Sequence, residues 1–114
     1  AFDSPDEDPL ECAQRELLEE SGYISSDWEH FFTAEWNANV IVYTYFYIAH
    51  DLVRQNPELA PDPGEKIELL FLDFDEFLAL SENPDFIHWP LLPHLFRARL
   101  HEDVYLEMKK KFRI

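Results

Sequence analysis

With 114 residues the chain is sized for one domain, 1–114, and an apolar content of 46%, with 16% aromatic, supplies ample material for a core. Its 24 acidic residues against 9 basic ones leave a formal charge of −15, which excludes broad attraction to nucleic acid or to an anionic membrane. A single cysteine, Cys12, excludes an internal disulfide, no stretch approaches the ~20 apolar residues of a membrane span, and no basic segment followed by an apolar run marks a signal peptide, so the expected location is the cytoplasm.

Asp8-Pro9-Leu10-Glu11 reads as a helix start, with Asp8 at the N-cap, Pro9 at N1 and Glu11 at N3 of a capping box. Leu10, Ala13, Leu17 and Leu18 recur at helical spacing, and Gly22 suits the left-handed position that ends a helix, so residues 9 to 21 are expected to be helical. Cys12 falls inside this helix as a small core residue. Residues 29 to 36 and 39 to 50 read as two strands joined by a tight turn at Asn37-Ala38. The second, Val40 to Ala49, is apolar or aromatic at alternate and intervening positions alike, which predicts a central strand packed on both faces. Residues 51 to 64, with Pro57, Pro61, Pro63 and Gly64, form a long loop. Residues 66 to 72 return as a strand, and Asp73-Phe74-Asp75-Glu76 is a second capping box opening a helix to about Leu80. A C-terminal helical region runs from about Pro90, and Lys109-Lys110-Lys111 suits the negative end of a helix.

Chemistry concentrates in the first helix. Glu16, Glu19 and Glu20 stand at i, i+3 and i+4, so they share one helical face, and like charges at that spacing cost about 0.2–0.5 kcal/mol per pair. Hard carboxylate oxygens suit Mg²⁺ or Mn²⁺, either of which would reverse that penalty. Arg15 is placed to hold a carboxylate by a forked contact, and Glu7, just before the helix, can fold back onto the same region. Trp28 and Trp36 offer rings able to stack on a base, with packing the plainer role for both. His50, His88, His94 and His101 show no metal-ligand spacing.

The full register is Glu7, seven residues, then Arg15-Glu16-Leu17-Leu18-Glu19-Glu20-Ser21-Gly22-Tyr23, and in it the chain resembles the Nudix hydrolases. The family's box opens with glycine six residues before the first glutamate, where this chain has Ala1. The resemblance implies an α/β fold, an α/β/α sandwich with a mixed sheet, whose strands before the box are missing here or supplied by another chain. Dimerisation by strand exchange is therefore expected. It also implies metal-dependent hydrolysis of a nucleoside diphosphate linked to a further group, with Glu16, Glu19 and Glu20 as metal ligands and Arg15 orienting them.

A glutamate outside the box often assists in this family, and Glu65 is the first candidate, with Glu68 and Glu35 behind it. The stretch from Pro63 to Leu78 is similar to ADP-ribose pyrophosphatase relatives, so ADP-ribose or a nucleotide sugar is the expected substrate. The proline those enzymes often carry about sixteen residues past the box is lacking, the chain reading Trp36-Asn37-Ala38-Asn39-Val40 there. The rival expectation is a catalytically silent Nudix-like module for binding or assembly, motivated by Ala1 and the missing strands.

Overall fold

The computed structural model describes residues 6–37, 40–55 and 70–114. The chain divides into two compact units, residues 1–69 and 70–114.

The described residues of the first unit form a helix, a long antiparallel strand pair and a short one. Helix α1 runs Pro9–Ser21, as the punctuation of the sequence predicts. Asp8 sits at the N-cap in extended conformation, and its carboxylate accepts the Glu11 N–H at 3.3 Å. Pro9 at the first turn lacks an N–H that would have had no helical partner. Gly22 closes the helix at φ 77°, a left-handed conformation that a side chain would penalise, and its N–H donates to Leu18 O at 2.9 Å. Strand β1, Tyr23–Ile24, leaves directly from this cap and pairs antiparallel with β4, Val53–Arg54. That short pair falls partly in the segment expected to be a plain loop; two residues are too few to show a period.

Strands β2, Asp27–Asn37, and β3, Ile41–His50, form an antiparallel ladder from the Asp27–His50 pair to the Asn37–Ile41 pair. The register shifts between His30 and Phe32, so Phe31 is an extra residue on β2. One face of the ladder stacks Phe32 on Phe46, with centroids 4.4 Å apart and rings 12° from parallel. The Trp36 indole N–H donates to Thr44 Oγ1 on that face at 3.2 Å. The expected tight turn at Asn37-Ala38 lies outside the described residues at Ala38.

Strand β3 departs from the expectation of two packed faces. Ile48 is buried, but Ile41, Tyr43 and Tyr45 are 62%, 52% and 39% exposed, and β2 is its pairing partner among the described residues. For positions 43 and 45 the physical reason is that they are tyrosines. A tyrosine reads as apolar in a hydropathy pattern, yet its hydroxyl lets the ring stand at a wet surface.

The second unit is helical. Helix α2, Phe74–Ala79, opens on the predicted capping box: Asp73 Oδ1 accepts the Glu76 N–H at 2.7 Å, and Glu76 Oε1 accepts the Asp73 N–H at 3.2 Å. A 3₁₀ turn, Leu80–Glu82, follows it. Helix α3, Leu92–Leu100, buries Leu95 and Ala98; helix α4, Glu102–Lys111, buries Met108. The predicted single C-terminal helical region is thus broken at His101, which is extended (φ −130°, ψ 116°). Glu102 and Asp103 open α4 where negative charge is favoured, and Lys109, Lys110 and Lys111 close it. Phe74 packs against Tyr105 and Phe112, with centroids 5.2 and 5.9 Å away. Leu70–Leu72, the described end of the strand expected over 66 to 72, carries no regular structure; its earlier residues lie outside the described ones.

Candidate functional site

Helix α1 positions the predicted group of charges because its ends are fixed by Asp8 and Gly22. Glu7 precedes the cap, and Arg15 stands two turns further on. The Arg15 guanidinium donates through Nε to Glu7 Oε1 at 3.3 Å and through Nη2 to Glu7 Oε2 at 3.5 Å, a forked contact. Its remaining Nη1 donates to Glu19 Oε2 at 3.2 Å, one turn along the helix. Nη2 also lies 3.7 Å from Cys12 Sγ. Arg15 holds one carboxylate before the helix and one on it. The Glu7 side chain is 13% exposed and that of Glu19 is 56% exposed. The forked pair is thus the more shielded, and the Glu19 pair is screened by water.

Glu16 and Glu20 take different places. Glu20 is exposed at the end of α1, while Glu16, half-buried, lies on the wall of a cavity of about 200 Å³ between α1 and β3. Cys12 and Ala13 share that wall, and Tyr43, Tyr45 and Tyr47 come from β3. Cys12 is buried, in keeping with the packing role expected of it. Among the described residues no three His, Cys, Asp or Glu side chains are gathered into a metal-holding group. The carboxylate chemistry of Glu16, Glu19 and Glu20 still suits a hard divalent cation, and all three stand within five residues of one helix. Glu65 and Glu68 lie outside the described residues. Glu35 is exposed on β2, paired across the ladder with Tyr43.

Trp28, His30 and His50 have packing partners. The Trp28 indole N–H donates to Ser25 O at 2.8 Å, and its ring meets Tyr47 edge-on at 6.4 Å. His30 meets the same tyrosine at 5.7 Å. His50 is buried beside Glu29, with Nε2 3.4 Å from Oε1, and the Ser25 hydroxyl donates to its carbonyl. Burial pushes the Tyr47 hydroxyl above its ordinary pKa, and the nearby Asp8 carboxylate adds to the effect, so it stays a neutral donor. The tyrosine row on β3 had no motif to announce it. Its signal was the alternation Tyr43, Tyr45, Tyr47, which places three rings on one face of a strand.

The family model described as NUDIX domain matches residues 4–95 of the chain. That span takes in Glu7, Arg15 and the three box glutamates, the whole β2–β3 hairpin, and α2 in the second unit. No curated protein and no solved structure is matched by the chain.

Proposed function

The chain belongs to the Nudix family of hydrolases, which act on nucleoside diphosphate derivatives, and on that premise we propose that it splits the pyrophosphate linkage of ADP-ribose or a nucleotide sugar with Mg²⁺ or Mn²⁺. The observation that carries this reading is the Arg15 hub, which ties Glu7 to the helix bearing Glu16, Glu19 and Glu20. Those three glutamates would hold the cation. When bound, it supplies a counter-charge for the phosphates and lowers the pKa of a coordinated water.

Hydrolysis joins the oxygen of water to one phosphorus and breaks its bond to the bridging oxygen, which leaves on the other phosphate. The residues of α1 serve this by position. Arg15 fixes the carboxylates of Glu7 and Glu19 by charge-assisted hydrogen bonds, which sets the face of the helix that meets phosphate. A chain of net charge −15 repels a diphosphate, so binding one requires local positive charge. Arg15, the single basic residue of α1, has two carboxylates around it. This supports a cation as the phosphate-binding element. Glu65 is proposed as an assisting base.

Three further readings go with this proposal. The match over 4–95 crosses both compact units, which supports one functional domain. Ile41 to Ala49 carries no charged side chain, which supports pairing of β3 with a second copy despite the acidity of the chain. A reducing cytoplasm suits the lone buried thiol. A silent binding module is the rival reading, favoured by the engagement of Glu19 with Arg15 and by the lack of a ready-made ligand group among the described residues.

The test is hydrolysis of ADP-ribose and a panel of nucleotide sugars with Mg²⁺, comparing the native chain with Glu20→Gln. Turnover that falls at least about a hundredfold in the variant is expected, with circular dichroism unchanged. Equal turnover in the two would remove the glutamates from the mechanism, and no turnover on any diphosphate would favour the silent module.

A further inference from the structure

Helix α3 is apolar on two sides. Leu95 and Ala98 are 0% and 2% exposed and pack the helix within the second unit, beside α2 and α4. On the opposite side Pro93, Phe96 and Leu100 recur at i, i+3 and i+7, and Trp89 precedes them in the 3₁₀ turn Trp89–Leu91. Trp89, Phe96 and Leu100 are 50%, 42% and 76% exposed. Single apolar residues at a surface need no explanation, whereas a row of them along one helix face marks a contact to be made. We propose that this outer face of α3 is a docking site for an acidic amphipathic helix of a partner protein, a function separate from the proposed hydrolysis.

Charge identifies the occupant. The sixteen residues from Phe86 to His101 contain no aspartate or glutamate, in a chain that has 24 of them, and they carry Arg97, Arg99 and three histidines. The two arginines have different partners. Arg99 turns back onto its own unit, donating to Ser81 Oγ at 2.9 Å and to Glu82 Oε1 at 2.7 Å. Arg97 stands four residues after Pro93 and three before Leu100, on the outer side, and has no ion-pair partner among the described residues. The face thus sets aromatic and aliphatic anchors beside a guanidinium, with no carboxylate among them. Aromatic residues and arginine are enriched, and aspartate and glutamate depleted, in the most buried parts of protein interfaces. A partner helix with apolar side chains three and four residues apart, and a carboxylate at the edge of that stripe, complements this composition.

Two other occupants fit this face less well. A second copy meeting it across a two-fold axis sets arginine against arginine at position 97, with no acid in the stretch to separate them. An anionic lipid surface is broad and meets the net charge of −15. A single helix docked on α3 meets mainly the charges within about 8 Å of it at physiological salt, because more distant ones are screened. Local composition therefore decides its binding, and that composition is cationic and apolar.

The test is an NMR titration of the native chain with two synthetic peptides of about eighteen residues, long enough to be helical in water. One carries leucine at i, i+3, i+4 and i+7 with glutamine and glutamate elsewhere; the other has lysine in place of each glutamate. Saturable shifts of the α3 amides and the Trp89 indole are expected with the acidic peptide, at an affinity at least about tenfold above that of the lysine peptide. Phe96→Ala should weaken the acidic peptide about tenfold, and Arg97→Glu should reverse the preference between the two peptides. Should Phe96→Ala fail to fold, Leu100→Ala carries the same comparison, and Leu106→Ala on α4 should leave the affinity unchanged. Binding of neither peptide, equal binding of both, or shifts that fall away from α3 would overturn the proposal. So would a dimer of the native chain, or its binding to phosphatidylserine vesicles, that Leu100→Ala abolishes, since either result gives the face to another occupant.

Discussion

The two compact units differ first in charge. Residues 1–69 hold sixteen acidic and three basic side chains, a net charge of −13, while residues 70–114 hold eight acidic and six basic ones, a net charge of −2. In the second unit the charges are spent on local structure. Asp73 and Glu76 cap α2, Arg99 donates to Glu82 at 2.7 Å, Tyr105 donates to Asp75 at 3.0 Å, and acidic and basic residues sit at the matching ends of α4. In the first unit Arg15 holds Glu7, ahead of the helix, and Glu19 on it, and Glu16 and Glu20 lie elsewhere on that helix. An excess of negative charge within one unit is costly unless something binds there. On the function we propose, the contrast separates a unit that meets a cation and phosphate from one whose charges hold its own helices together.

The sharpest way to break that division is to change one residue in each unit. Glu16→Gln should lower turnover at least about a hundredfold while leaving the thermal midpoint within a few degrees of native. Equal losses of activity and stability would show that Glu16 is structural.

The converse change is Leu95→Ala. Leu95 is fully buried in α3, and the cavity left by truncation should cost about 2–5 kcal/mol in urea denaturation, with kcat of the folded fraction kept. A cost below that range would mean that the second unit can collapse around the gap.

Arg15→Lys should have a smaller effect on chemistry than loss of a glutamate. Lysine keeps the charge but cannot make the fork to Glu7 while also reaching Glu19, so kcat/KM should fall about tenfold. Unchanged kinetics would show that charge alone suffices at that position. Asp73→Ala removes the cap of α2 and should cost about 1 kcal/mol with no change in turnover, read by thermal denaturation.

The smallest effect concerns pH. Burial lowers the pKa of His94, and the positive charges of Arg97 and Lys111 lower it further. A histidine whose folded pKa lies below its unfolded value of ~6.5 binds a proton more readily when unfolded, so stability is retained above that value and declines as pH falls through it. The native chain should lose more stability than His94→Asn between pH 7.5 and 5; parallel curves would assign the acid sensitivity to other groups.

Sequence alone made an element legible wherever a residue type has one conformational use. Asp8, Pro9 and Gly22 bracket α1, Asp73 and Glu76 start α2, and a continuous apolar and aromatic run marks β3. It failed where the deciding interaction is not local. The break at His101 joins two segments that are each helical, and the acidic pair Glu102-Asp103 after Arg97 and Arg99 was the available sign of a new N-terminus. The extra residue at Phe31 depends on pairing with β3. The face of β3 that meets α1 is set by that packing, so the tyrosine cavity was invisible although each of its residues was in view. Within the candidate site, the Arg15 contacts to Glu7 and Glu19 follow from spacing, whereas the separate placement of Glu16 on an aromatic wall does not.

The central claim is that the acidic face of α1 is a cation site. Calorimetric titration of the native chain and of the double variant Glu16→Gln, Glu20→Gln with Mg²⁺ and Mn²⁺ at millimolar concentration tests it directly. Saturable binding to the native chain that disappears in the variant is the predicted result; no binding by the native chain, or equal binding by both, would contradict it.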